Sequence, residues 1–196
     1  MGTRPTIQTP DGTAGRGWAF HVFGQPAPQG SKSAKGRAGS GRIILAESSK
    51  YVGPWRETIT ASAVGAGPCL DGPVAVAMIF TVRRPASARK VDRIPPRIPD
   101  LSKLARAAED AITAAGLWAD DARVAVYRPL AKAYPGCPYP GMPAEVILPV
   151  PGVVVAAVEM DPTGAADHRS LLARLVIDEC RRAWARTDRW KAEATG

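Results

Sequence analysis

With 196 residues, 45% of them apolar, the chain can bury a full hydrophobic core, and no apolar run approaches the ~20 residues that a bilayer-spanning helix needs. Its three cysteines, Cys69, Cys137 and Cys180, are odd in number and far apart, which argues against a disulfide framework or a zinc site and points to a reducing cytoplasm. A formal net charge of +8 argues against a polycationic partner and favours a polyanion, and with no apolar run long enough to span a bilayer no membrane is expected as a partner.

Residues 1–17 are rich in Gly, Thr and Pro and lack an apolar h-region, so they read as a disordered lead and not as a signal peptide. Alternation over 18–23 predicts a first strand. The Gly-, Ser-, Lys- and Pro-rich segment 24–41 has no apolar period and is predicted to be a mobile loop. Its Lys32, Lys35 and Arg37, with Arg42 just beyond, make it a cationic arm suited to a phosphate backbone, against the plainer reading of a flexible loop. Residues 42–45 are predicted to return as a short strand in a hairpin with the first. A helix is predicted from 53 to about 64, with Trp55 and Ile59 on one face. The nearly continuous Val, Ala, Ile and Phe of 74–82 predict a buried strand. A second basic loop follows at 83–97, where Arg83, Arg84, Arg89, Lys90, Arg93 and Arg97 stand among prolines.

That loop leads directly into an acidic focus. Asp100, Glu109, Asp110, Asp120 and Asp121 crowd into 22 residues of a basic chain. Leu101, Leu104, Ala105, Ala108, Ile112 and Ala115 recur at helical spacing, and Gly116 supplies the stop. Ser102, Arg106, Glu109 and Thr113 then share one polar flank, while Lys103 and Asp110 are predicted to face solvent. Carboxylates at a helix start and at a helix-to-strand junction can converge on a hard cation. Each also has a plainer reading: Asp100 as an N-cap, Asp120 and Asp121 as a solvated turn, Arg106 with Glu109 as a surface ion pair. Further strands are predicted at 123–133 and 144–148, joined by a Pro- and Gly-rich turn, with an edge strand or extended arm at 150–158. A basic amphipathic helix is predicted from 167 to about 190, with Leu171, Leu172, Leu175, Val176, Cys180, Ala183 and Trp184 as its apolar side. It is expected to pack on the domain, to pair two copies of the chain or to touch DNA. His21 and His168 are expected to be structural. The organisation so read is a lead at 1–17, a main domain at 18–158 and a helical appendage at 159–196. The fold is α+β: a mixed, largely antiparallel sheet of four or five strands flanked by helices.

The stretch 99–123 resembles the RusA family of Holliday junction resolvases, in which an Asp-x-Asp-Asn stretch and a Lys lie on a helix followed by a Trp-x-Asp-Asp junction. Asp100 stands at the first Asp, Arg106 at the Lys, and Trp118, Asp120 and Asp121 at the junction. The run 20–30, Phe-His-Val-Phe-Gly-Gln-Pro-Ala-Pro-Gln-Gly, is similar to the family's opening strand and Pro-x-Pro-x-Gly turn, so the resemblance covers about 18–148. It departs at Ser102, where the family has its second Asp, and at Lys103, where it has Asn. Glu109, two turns along the same flank, is placed to supply the lost carboxylate. The resemblance implies an endonuclease of phage or prophage type, using Mg2+ or Mn2+ held by Asp100, Asp120 and Asp121 and acting as a homodimer in the host cytoplasm. Its substrate would be four-way or otherwise branched DNA, cut by paired nicking during recombination and repair. Arg106 would steady the scissile phosphate. The backbone contacts would come from Lys32, Lys35, Arg37, Arg42, Arg83, Arg84, Arg89, Lys90 and Lys103. The alternative is a catalytically impaired protein of the same fold that binds branched DNA.

Overall fold

The apolar run after residue 73 becomes a strand buried along its whole length, and two layers of helix cover it. In a computed structural model that describes residues 7–8, 14–30, 32–37, 43–47, 50–161, 163 and 168–195, the elements are as follows. β1 (Ile7–Gln8) pairs antiparallel with β2 (Ala14–Gly15), and β3 (Gly17–Phe23) follows. β4 (Lys32–Arg37) pairs antiparallel with β5 (Ile43–Glu47). Then come α1 (Val52–Ala63), β6 (Val74–Thr81), α2 (Leu101–Ala114), β7 (Val124–Ala133), β8 (Gly152–Glu159) and α3 (His168–Thr195).

The main sheet has the order β3-β8-β6-β7, with β8 antiparallel to both neighbours and β6 parallel to β7. It is a mixed four-stranded sheet in an α+β fold. One face, through Trp18, Phe20, Val76, Met78, Phe80 and Val155, packs on α1 and α2. The other, through Ala75, Ala77, Ile79, Val154, Ala156 and Val158, packs on α3. Burial on both faces explains why β6 and β8 show no polar alternation.

Several expectations are corrected. Residues 150–158 supply a central strand and not an edge, because β8 pairs along both sides. Residues 144–148 are not a strand: Ala144–Val146 is a 3-10 turn, and the Ile147 carbonyl accepts a 3.0 Å hydrogen bond from Trp184 Nε1 on α3 in place of a ladder bond. β5 pairs with β4 and not with β3, so the segment expected to be a loop contains a strand. A ladder between neighbouring segments closes a shorter loop than a return to β3 would. Arg42 and the connection between these strands lie outside the described residues. Within the expected lead, β1 and β2 form their short ladder, and Arg16 ties that end to the sheet through Asp71 (2.8 Å) and Glu159 (2.6 Å). The expectation that the C-terminal helix packs on the domain is met: α3 shares its core with β6 and β8 through Leu171, Leu172, Val176, Cys180 and Ala183. His21 Nδ1 lies 2.5 Å from Glu179 Oε1 on α3, a structural tie between β3 and that helix.

α2 ends as its sequence requires. Gly116 has φ +74, its N–H donates to the Thr113 carbonyl (3.0 Å), and the Leu117 N–H donates to that of Ile112 (3.3 Å), the paired bonds of a Schellman cap. The chain then reverses so that Leu117 and Trp118 enter the core, where the Trp118 ring lies 5.6 Å from that of Trp18. A Cβ on Gly116 would meet nothing within 4 Å, so only the backbone conformation opposes a side chain there. Gly116→Ala is expected to lower unfolding stability by about 1 kcal/mol in a urea titration with an unchanged m-value.

Candidate active site

The acidic focus divides between the two ends of α2. At the start, Asp100 takes the N-cap position with an extended backbone, yet its side chain makes no capping bond. The carboxylate is exposed and lies 3.3 Å from Lys103 Nζ, also exposed. The plain N-cap reading is therefore not what the geometry shows. Backbone just ahead of Asp100 is held by Lys132 of β7, whose Nζ donates to the carbonyls of Arg97 (2.8 Å) and Pro99 (2.9 Å). Burial pulls the Lys132 ammonium below its ordinary pKa, and the Asp100 charge opposes that fall. On the other side, the Gln29 N–H donates to the Lys103 carbonyl (3.0 Å), so the Pro-x-Pro-x-Gly segment runs against the first turn of α2. Pro26 and Ala27 are buried beneath it.

At the far end, Asp120 caps the 3-10 turn Asp121–Arg123 by accepting from the Ala122 N–H at 2.8 Å, and Asp120 and Asp121 are exposed. Glu109 is buried at 9% exposure and accepts a hydrogen bond from the Tyr127 hydroxyl on β7. Burial is the main cause that lifts its pKa to about 6, with Asp121 and then Asp110 adding repulsion and Arg106 opposing. Asp121 is therefore the candidate ligand whose charge bears on Glu109. Asp110 is a correction: it is half-buried and paired with Arg56 of α1 at 2.6 Å, so it staples two helices. Thr113, on the predicted polar flank, accepts from Trp118 Nε1 (2.7 Å) and so holds the cap in place. Ser102 and Arg106 are exposed on α2.

Sequence reasoning missed Lys132 and Tyr127. Five positions apart, they should point to opposite faces of a regular strand. The register of β7 against β6 shifts between Tyr127 and Leu130, opposite Val76 and Met78, and this bulge around Arg128 and Pro129 turns both side chains toward α2. Proline is tolerated there because β7 is an edge strand and its bulge needs no ladder donor at that position. A proline inside an otherwise strand-like run was the available signal.

Among the basic residues, Arg83, Arg89 and Lys90 are exposed, with Arg89 paired to Asp92 at 3.0 Å. Arg84 turns inward: it donates to the carbonyls of Arg89 and Asp92, and its guanidinium sits 5.0 Å from the centre of the Tyr134 ring. It braces the loop and is not a free surface cation. Lys32, Lys35 and Arg37 lie on β4, of which only the backbone is described. Among the described residues no three His, Cys, Asp or Glu side chains stand close enough to hold a metal ion together, and no helix is long and apolar enough to cross a membrane.

A mixed sheet carrying carboxylates at both ends of one helix, with basic loops nearby, is an arrangement that suits a nuclease. The family model described as Endodeoxyribonuclease RusA matches residues 24–138, more than half of the chain, and the chain belongs to that family. That places it among endonucleases of DNA recombination that resolve Holliday junctions. No curated protein matches the chain. The matched span holds β6, α2 and β7 with both candidate carboxylate clusters, and it stops short of β8 and α3.

Proposed function

We propose that the protein is a Mg2+-dependent endonuclease, with Mn2+ able to substitute, that cuts four-way DNA junctions by paired nicking as a homodimer. The observation that carries this reading is the family match over residues 24–138, which contains Asp100, Glu109, Asp120 and Asp121, with the exposed Asp121 near enough to the buried Glu109 for its charge to oppose ionisation there. Burial is the main reason that the Glu109 carboxyl is raised to about 6, and the repulsion added by Asp121 and Asp110 marks a local excess of negative charge that a cation would relieve. The donors are all hard oxygens, which fits Mg2+, and Mg2+ commonly takes only one or two carboxylates and completes its shell with water and substrate phosphate. The lack of a three-carboxylate cage is therefore compatible with it.

Asp121 and Asp120 would hold the ion, with Glu109 in reserve for the carboxylate missing at Ser102, while Asp100, at the opposite end of the 14-residue α2, would join only a second ion or a site completed on substrate binding. A bound ion would supply Lewis-acid stabilisation of the phosphoryl oxygens and ease ionisation of the attacking water. The chain's own residues do the rest. Arg106, exposed on the same helix, would contact the scissile phosphate in a bidentate fork that Lys cannot make. Lys132 holds the backbone before Asp100, which fixes where that carboxylate starts from. The exposed cations Arg83, Arg89, Lys90 and Lys103 draw in the DNA backbone.

In the test, a labelled four-way junction is bound in EDTA and Mg2+ is then added to the same sample. Binding without cleavage, followed by cleavage on addition, supports the reading; binding that never leads to cleavage supports the branched-DNA-binding alternative. Two-fold substrate symmetry is most simply met by an isologous dimer. Light scattering is accordingly expected to give twice the chain mass at micromolar concentration, and a monomer both free and with junction DNA would remove paired nicking.

A further inference from the structure

A cavity near the candidate site lies between the second basic loop and the turn that follows β7. It encloses about 700 Å3, within the range of pockets that bury an organic ligand. The partly exposed Tyr139 forms one side, with Tyr134 buried at 3% behind it, Ile94 contributes an apolar edge at 52% exposure, and Arg89, Arg93 and Arg97 stand around it together with Asp92. One aromatic ring, Tyr139, inside a cationic rim is what an unpaired nucleobase and its phosphates need, the ring for stacking and the cations for the backbone.

The cavity is built and braced. Arg84 ties the loop to itself through the Arg89 and Asp92 carbonyls and covers one face of Tyr134, so the loop stands off the tyrosines and does not collapse onto them. The same brace reaches the candidate active site. The Tyr139 hydroxyl donates to the Lys132 carbonyl (2.9 Å), and the Lys132 ammonium holds Arg97 and Pro99, immediately before Asp100. The loop also exposes apolar side chains that packing does not explain: Val91 at 73%, Ile94 at 52% and Ile98 at 87%. Such side chains beside arginines match the way proteins contact base steps that have lost their stacking.

We propose that this cavity is a nucleobase pocket that receives one unstacked base of the DNA strand next to the scissile phosphate. It rests on the nuclease reading above and adds the part of the substrate that the site recognises. A continuous duplex keeps its bases stacked and cannot fill the pocket, whereas the open centre of a branched junction presents bases at low unstacking cost. The pocket therefore gives the protein a way to prefer branched over linear DNA without reading phosphates differently.

The test uses the wild-type protein in EDTA and a four-way junction carrying a single abasic residue, moved in turn through the nucleotides around the branch point. Anisotropy is expected to show binding weakened about tenfold at one position of the scan, the loss of one base–aromatic stack, with less than a twofold effect at the same position in a matched duplex. Ala88→Trp, which fills the cavity without altering charge, is expected to lower junction affinity by a similar factor and to abolish the abasic sensitivity, with melting temperature unchanged. A flat abasic scan with the wild-type protein would overturn the proposal, as would unchanged abasic sensitivity in Ala88→Trp. A flat scan beside intact Mg2+-dependent cleavage would remove the pocket alone, whereas loss of junction preference and of cleavage would remove the nuclease reading itself.

Discussion

Asp121→Asn is expected to reduce Mg2+-dependent junction cleavage by about three orders of magnitude, corresponding to the several kcal/mol that a hard cation supplies to a phosphoryl transition state. The side chain is exposed, at the start of a 3-10 turn whose cap is provided by Asp120, so neither the turn nor the core depends on its charge. Fold stability should therefore be unchanged. Junction binding in EDTA should be equal or tighter, because the substitution removes a negative charge from the path of the phosphates. Undiminished cleavage by this variant would exclude Asp121 as a ligand, and loss of binding would point to a structural role instead.

Glu109→Gln is the second substitution with a large expected effect, and it should separate activity from stability. Burial and the Asp121 and Asp110 charges raise the Glu109 pKa from 4.5 to about 6, so the folded state holds this proton more tightly than the unfolded chain does. The contribution is accordingly full below about pH 4.5 and is lost as pH rises through about 6, at a cost of up to about 2 kcal/mol. A neutral isostere removes that loss. In EDTA, Glu109→Gln should match the wild type at pH 4 and exceed it by about 1–2 kcal/mol at pH 8, measured as the urea midpoint at an unchanged m-value. Cleavage, in contrast, should fall nearly as far as in Asp121→Asn if Glu109 supplies the carboxylate absent at Ser102. Those two positions are seven residues apart on α2, about 10 Å along its axis, and Glu109 is the buried member while Ser102 is exposed. Ser102→Asp should be tolerated or should raise activity by adding a carboxylate close to Asp100. A fully active Glu109→Gln would show that the site works with fewer carboxylates.

The parts of this molecule that were legible in the sequence are those where a local rule and the tertiary environment agree. The unbroken apolar run of β6 could only be a strand buried on both sides, and Gly116 after the apolar stripe of α2 could only be its stop. The Trp118, Asp120 and Asp121 junction was legible because its spacing carries the family resemblance, and the family match includes it. What escaped depended on partners distant in sequence. The all-apolar stretch of β8 fits an edge strand leaning on the core as well as a central one, and only its two neighbours, β3 and β6, decide between them. Ile147 and Leu148 have strand-like composition, yet Trp184, more than 30 residues away, takes the carbonyl that a ladder would use. Lys132 and Tyr127 were hidden by the bulge at Pro129, which breaks the alternation on which any reading of β7 must rest. Asp110 was assigned to solvent by its angle on the helix, whereas Arg56 on α1 draws it into a helix–helix contact.

The central claim is that carboxylates on α2 and at its junction with β7 make this chain a metal-dependent nuclease selective for branched DNA. Its most direct test is a denaturing gel of a synthetic four-way junction, labelled on each strand in turn, beside a duplex of the same sequence, with the protein in EDTA or in Mg2+. The expected result is Mg2+-dependent cleavage at symmetric positions of two opposing junction strands, with the duplex left intact. Cleavage in EDTA, equal cutting of the duplex, or a junction that is bound but never cut in Mg2+ or Mn2+ would contradict it.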